Sequence, residues 1–180
     1  TAAAIADEIN GSDTVSLGIA MTTTGNNVGI LTSNGANTIT ISKAGSITTT
    51  GTTAYGILNT GHNSETTVSG SITTAGANAW GIWNLGNTNE TTVSGSITTA
   101  GNGAFGIHNY GNKNKTTVSG NITTAGTNAF GVYSNGNTNE NTVSGSIVTA
   151  GNAGYGVRNI GDNNTTTISG SVTSTGTASS

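Results

Sequence analysis

The 180-residue chain contains no cysteine and no proline. Without thiols it can form no disulfide, offer no thiolate to a metal and present no cysteine nucleophile. Lack of cysteine suits both a reducing cytosol and the surface of a bacterium, so it is compatible with export. Without proline nearly every residue keeps its N–H, as expected where the chain either donates to a sheet ladder or turns tightly between ladders. Charge is scarce as well, with 6% Asp, Glu, Lys and Arg and a net charge of −3. The chain thus has neither the basic stripe that nucleic acid requires nor a polybasic membrane patch, which argues against both partners. No apolar run is long enough for a signal peptide or a membrane span, so no direct membrane insertion is expected. The start at Thr1-Ala2-Ala3-Ala4, without Met, reads as that of a processed segment.

What the chain has instead is a period. Val68, Val93, Val118, Val143 and Ile168 are spaced by 25 residues, as are Ile72, Ile97, Ile122, Ile147 and Val172. Abundant Gly, Thr, Ser and Asn at low charge would suggest disorder if the apolar residues were scattered, but here they recur at fixed places. A fixed period of this length is the signature of a solenoid whose coils bury their apolar residues only against their neighbours. The expected fold is an all-β parallel solenoid of about seven coils of 25 residues over residues 14–180. At about 4.8 Å per coil such a rod is on the order of 35 Å long. Residues 1–13 form a cap or leader, in which Ala2, Ile5, Ala6 and Ile9 have helical spacing.

Within one copy Val68, Gly70 and Ile72 alternate with Thr67, Ser69, Ser71 and Thr73, the period-2 pattern of a strand with one face buried. A second strand runs from Ala79 to Asn84. Its Ile82 has Ile107, Val132 and Val157 as equivalents, while the next place holds Leu58, Trp83, His108, Tyr133 or Arg158 and so faces solvent. The predicted core is therefore Val68, Ile72, Ile82, Val93, Ile97, Ile107, Val118, Ile122, Val132, Val143, Ile147, Val157 and Ile168. Turns fall at Ala75-Gly76-Ala77-Asn78 and Gly86-Asn87-Thr88-Asn89, where Gly and Asn tolerate left-handed backbone, and a bend at Gly70 would give each coil a third side. The rings of Tyr55, Trp80, Phe105, Phe130 and Tyr155 share the parity of the inward aliphatic residue two places on. That favours an internal aromatic column over a bulge at Gly81 that would turn the rings out. Asn59, Asn84, Asn109 and Asn159 are expected to form an amide ladder.

Few residues could carry chemistry. Glu65, Glu90 and Glu140 occupy one repeat position with Lys115 between them, which makes a stacked column whose lysine relieves repulsion, and not a convergent pocket. His62 and His108 fall at different repeat positions without a carboxylate to orient either, so no nucleophile and base pair is expected. Corners such as Gly161-Asp162-Asn163-Asn164 lack the carboxylate density that calcium prefers, and turn chemistry explains them better. Asn89-Glu90-Thr91, Asn114-Lys115-Thr116 and Asn121-Ile122-Thr123 match the glycosylation pattern, as chance allows in so Asn- and Thr-rich a chain. No catalytic residue, metal site or cofactor is expected. One surface stands out: Thr67, Ser69, Ser71 and Thr73 are repeated as Thr92, Ser94, Ser96 and Thr98, a candidate hydroxyl face.

The alternation of Thr92-Val93-Ser94-Gly95-Ser96-Ile97 with Ala104-Phe105-Gly106-Ile107-His108-Asn109 resembles passenger segments of bacterial autotransporters and related haemagglutinin-like adhesins, over about residues 14 to 178. The resemblance implies a right-handed parallel β-helix exported to a Gram-negative cell surface, where such rods hold adhesive or effector regions away from the membrane. It carries over no catalytic residue, and the family's C-terminal membrane barrel is not in this chain, which makes it a fragment or a secreted unit. The leading expectation is a structural or adhesive extracellular protein with a receptor on a host or neighbouring cell. The alternative is an ice-binding protein using the hydroxyl face, with a polysaccharide-cleaving enzyme third. Self-association end to end is also expected, with Val15 and Leu17 of one copy stacking on Ile168 and Val172 of another to build a filament.

Overall fold

The computed structural model describes residues 9–177. Three strands per coil build three parallel sheets, each seven-stranded, wound as a β-solenoid of about six turns. In one coil the first sheet receives Ile82–Asn84, the second Glu90–Val93 and the third Ser96–Thr99. Neighbouring coils pair in strict register, Ile82 against Ile107, Val93 against Val118 and Ile97 against Ile122. From the coil of Ile57 onward a shift of 25 residues therefore places each strand side chain over its own equivalent, which is why a strict sequence period and a stacked core are one and the same fact.

The bend at Ser69-Gly70 divides the expected first strand into Glu65–Val68 and Ser71–Thr74. Gly95 at the equivalent corner has backbone directly above it, since a Cβ there would collide with the carbonyl oxygen of Gly70. The other two corners use left-handed backbone: Asn78 has φ 52° and Thr88 has φ 60°, with positive φ again at Asn128, Thr138 and Asn163. Asn suits that region; threonine is strained there, because its branched Cβ crowds the backbone.

The core is a three-sided column of one aliphatic side chain per sheet per coil. Val68, Ile72, Ile82, Val93, Ile97, Ile107, Val118, Ile122, Val132, Val143 and Ile147 all stand at 0% exposure. Val157 is partly buried against this cluster. Ile168, expected in the core, is 48% exposed, because it pairs with Val143 on one side and no described strand lies on its other. Val172 at 36% is exposed for the same reason. Val15 and Leu17 at the opposite end are buried at 8% and 5%. The four expected stacking residues thus differ: two are open to a further coil and two are already covered. Most of the expected helical cap lies outside the described residues, and Ile9–Asn10 is a short strand paired with Ile30–Ser33.

Many buried polar groups are paired in ladders along the axis, although the side-chain amide nitrogens of Asn89, Asn114 and Asn139 have no partner. The Asn59 amide donates to Asn84 Oδ1 (3.4 Å) and that of Asn84 to Asn109 Oδ1 (2.9 Å), with side bonds from Asn84 to Thr91 and from Asn109 to Thr116. Ser134 interrupts the amide run, and in its coil the facing threonine is replaced by Asn141, whose amide reaches Ser134 Oγ (3.2 Å) and Asn159 Oδ1 (2.8 Å). A second ladder was not foreseen: the backbone N–H groups of Ser64, Asn89, Asn114 and Asn139 each donate to the side-chain oxygen of the Asn one coil on.

Candidate functional site

The aromatic rings lie outside the solenoid, which corrects the expected internal column. The cause is local. Gly81 points inward, since a Cβ there would collide with Ile97 Cγ2, and Ile82 directly after it also points inward at 0% exposure. Two consecutive inward residues break the alternation, as at a bulge, so that Trp80 before them and Trp83 after them both emerge on the outer face. Glycine at the same place in the neighbouring copies, Gly56, Gly106 and Gly131, was the available sign, because only a residue without Cβ can stand there.

The outcome is a ribbon of two side-chain columns over the first sheet. Tyr55, Trp80, Phe105, Phe130 and Tyr155 make one; Leu58, Trp83, His108, Tyr133 and Arg158 make the other. Along the first column Trp80 and Phe105 stack with centroids 5.3 Å apart and planes at 5°, and Phe105 and Phe130 at 4.7 Å and 8°. Between columns the contacts are edge-on, Trp80 to Trp83 at 4.5 Å and 80°, Phe105 to His108 at 5.5 Å and 85°. Such herringbone packing sets the positive edge of one ring against the negative face of another, worth about 0.5–1.5 kcal/mol per pair beyond burial. Arg158 closes one end, its guanidinium 5.4 Å from the centroids of both Phe130 and Tyr155. Every Phe, Trp and Tyr of the chain takes part, Tyr110 through His108.

His108 is 6% exposed, and neither ring nitrogen has a hydrogen-bond partner. Burial pushes its pKa down to about 4, so the imidazole is neutral near pH 7. Beside it Trp83 Nε1 is also without a partner, whereas Trp80 Nε1 donates to the carbonyl of Gly103 at 2.8 Å. His62 is elsewhere, in a corner, where its Nδ1 accepts the Asn87 N–H at 2.9 Å and takes the place that Asn87 and Asn112 hold in later coils.

The expected hydroxyl face is not one surface. Thr67 and Thr92 project from the second sheet and Ser71, Thr73, Ser96 and Thr98 from the third, with Ser69 and Ser94 at the corner between them. The turn at Ser69-Gly70 separates the two sets, and at the corner an open groove of about 410 Å³ runs past Lys43, Ser69, Ser94 and Asn121. Glu65, Glu90, Lys115 and Glu140 lie in register on the second sheet, where Lys115 Nζ stands 3.5 Å from Glu90 Oε1. Both partners are about half exposed, so the pair adds little. Of the glycosylation matches, the Asn89 and Asn114 side chains are buried in the second ladder and Asn121 is exposed. Among the described residues no group of His, Asp and Glu is arranged to hold a metal ion.

The fold and its exterior define a three-sided parallel β-solenoid carrying a single aromatic ribbon. No protein-family model, curated protein or solved structure matches the chain.

Proposed function

We propose that this protein is a structural and adhesive rod acting outside the cell, of the kind its repeats resemble in autotransporter passengers and haemagglutinin-like adhesins. One observation carries the reading. Most outward positions on the second and third sheets repeat Ser or Thr from coil to coil, broken by the column of Glu65, Glu90, Lys115 and Glu140 and by Asn121 and Val148, whereas beside the aromatic column the outward position changes at every coil through Leu58, Trp83, His108, Tyr133 and Arg158. A largely repetitive scaffold with one ring-rich strip that varies at every coil is what recognition on a rod calls for, and Trp, Tyr and Arg are the residues that dominate binding energy at interfaces. The test is adhesion: particles coated with the protein should be retained by cells or extracellular material. Replacing Trp80 and Phe105 by Ala should abolish retention while the β circular dichroism persists. Equal retention by that variant and the parent would refute the assignment to the ribbon.

Ice binding is the second reading, and one feature favours it. On the third sheet Ser71 and Thr73 stand in register with Ser96 and Thr98, a two-column hydroxyl array on a single face, though Val148 interrupts the Thr column. Thermal hysteresis that is lost on replacing Thr73 and Thr98 by bulky residues would establish it in place of adhesion. End-to-end association belongs to the first reading, but of its expected contact residues Val15 and Leu17 are buried.

A further inference from the structure

We propose that the ribbon binds a neutral glycan chain laid along the solenoid axis, with the ring nitrogens of Trp83 and His108 as its hydrogen-bonding centre. This rests on the adhesive reading and gives it a ligand. The size of the strip speaks for a narrow occupant: five rungs at about 4.8 Å and two columns of rings cover roughly 300 Å². A stable protein partner needs about 800 Å² on each side. A second copy or a globular protein would have to draw most of its contact from the Ser and Thr surface alongside, whereas a chain one sugar ring wide is matched by the strip itself. Charge points the same way, since Arg158 is the ribbon's only ionic group and Glu65, Glu90 and Glu140 lie on the second sheet.

The centre is marked by two independent features at one place. Trp83 Nε1 and both nitrogens of His108 are buried polar atoms without partners, a costly condition that a hydroxyl-bearing ligand relieves. Trp83 and His108 are also register neighbours and form the loosest parallel stack of the ribbon, with planes at 1° and centroids 6.1 Å apart against 4.7 to 5.3 Å elsewhere. The nitrogens are buried, so a ligand reaches them by parting these two rings, the pair whose parting forfeits least contact. A sugar hydroxyl both donates and accepts. It therefore answers an indole N–H, which only donates, and a neutral imidazole, which does one at each nitrogen.

The chain's two tryptophans, Trp80 and Trp83, both stand in the ribbon, so intrinsic fluorescence reads its occupancy directly. The whole protein is titrated with neutral cello-, malto- and xylo-oligosaccharides and, for comparison, with anionic oligogalacturonate. Expected is a saturable change in emission with at least one neutral series, tighter for longer oligomers. The double variant Trp83→Phe, His108→Phe keeps the rings and removes the nitrogens; its affinity should fall at least tenfold while Trp80 still reports. If that variant does not fold, Tyr133→Ala serves instead and should weaken binding about fivefold. The proposal is overturned if no neutral series changes the emission, if only the anionic oligomer binds, or if the variant binds as the parent does. It is equally overturned if emission changes with protein concentration alone, which would mean that a second copy covers the strip. Retention of coated particles without any glycan response would overturn this inference and leave the adhesive reading standing.

Discussion

His108 shows how one buried side chain ties stability to pH. Burial lowers its pKa from 6.5 to about 4 in the folded protein, so the unfolded chain binds the proton more readily. The contribution of the neutral, buried imidazole is complete above about pH 6.5, declines as the pH falls toward 4, and changes no further below that. At its limit the loss is on the order of 3 kcal/mol. Urea midpoints measured between pH 7 and 4 should fall more steeply for the parent than for His108→Phe, and parallel curves would mean that His108 titrates as freely in the fold as outside it. At the corners, Thr88 and Thr138 hold left-handed backbone where equivalent coils place Asn63 and Asn163. Thr88→Asn and Thr138→Asn should each raise stability by about 0.5–1 kcal/mol, read from the same midpoints. An unchanged or lower midpoint would mean that the strain is relieved elsewhere.

At the scale of the strand, alternation in the sequence locates the aliphatic columns of the second and third sheets, because nothing interrupts the pleat between Thr91 and Val93 or between Ser96 and Thr99. The first sheet departs from that rule at Gly81-Ile82, and one irregular step is enough to send five rings to the opposite side. Pattern counting cannot see such a step, since it treats Gly81 as a neutral member of the alternation when its lack of a Cβ is what permits the bulge. The split of the hydroxyl residues between two sheets was hidden for the same reason: Ser69-Gly70 reads as strand and acts as corner. The exchange at Ser134 and Asn141 is, by contrast, plain in the sequence and intelligible only in the fold. Ser134→Asn alone should crowd the ladder and Asn141→Thr alone should leave it an amide short, each costing about 1–2 kcal/mol. Made together they restore the pairing of Asn109 with Thr116, and the double variant should lie at least 1 kcal/mol above the sum of the singles. Simple additivity would show that the two sites act apart.

For the molecule as a whole, each rung of the core depends on the rungs beside it. Ile82→Asp and Ile107→Asp place a carboxylate without a partner in the middle of the apolar column and should cost several kcal/mol. Circular dichroism and thermal melting like the parent's would contradict the inward placement of these side chains. The open rung of Ile168 and Val172 predicts the converse: appending one further consensus coil after the last should bury both and raise the melting temperature by several degrees. No increase would mean that these side chains are already covered in solution. Because residues paired across neighbouring coils are about one repeat apart, 25 positions from the coil of Ile57 onward, their separation along the chain does not grow as coils are added. Closing that interval carries the same entropy in a long rod as in a short one, so once one pair of coils has formed, every later coil docks onto a finished template. Refolding of a lengthened chain should accordingly be limited by the first such pairing, at a rate that is nearly independent of length.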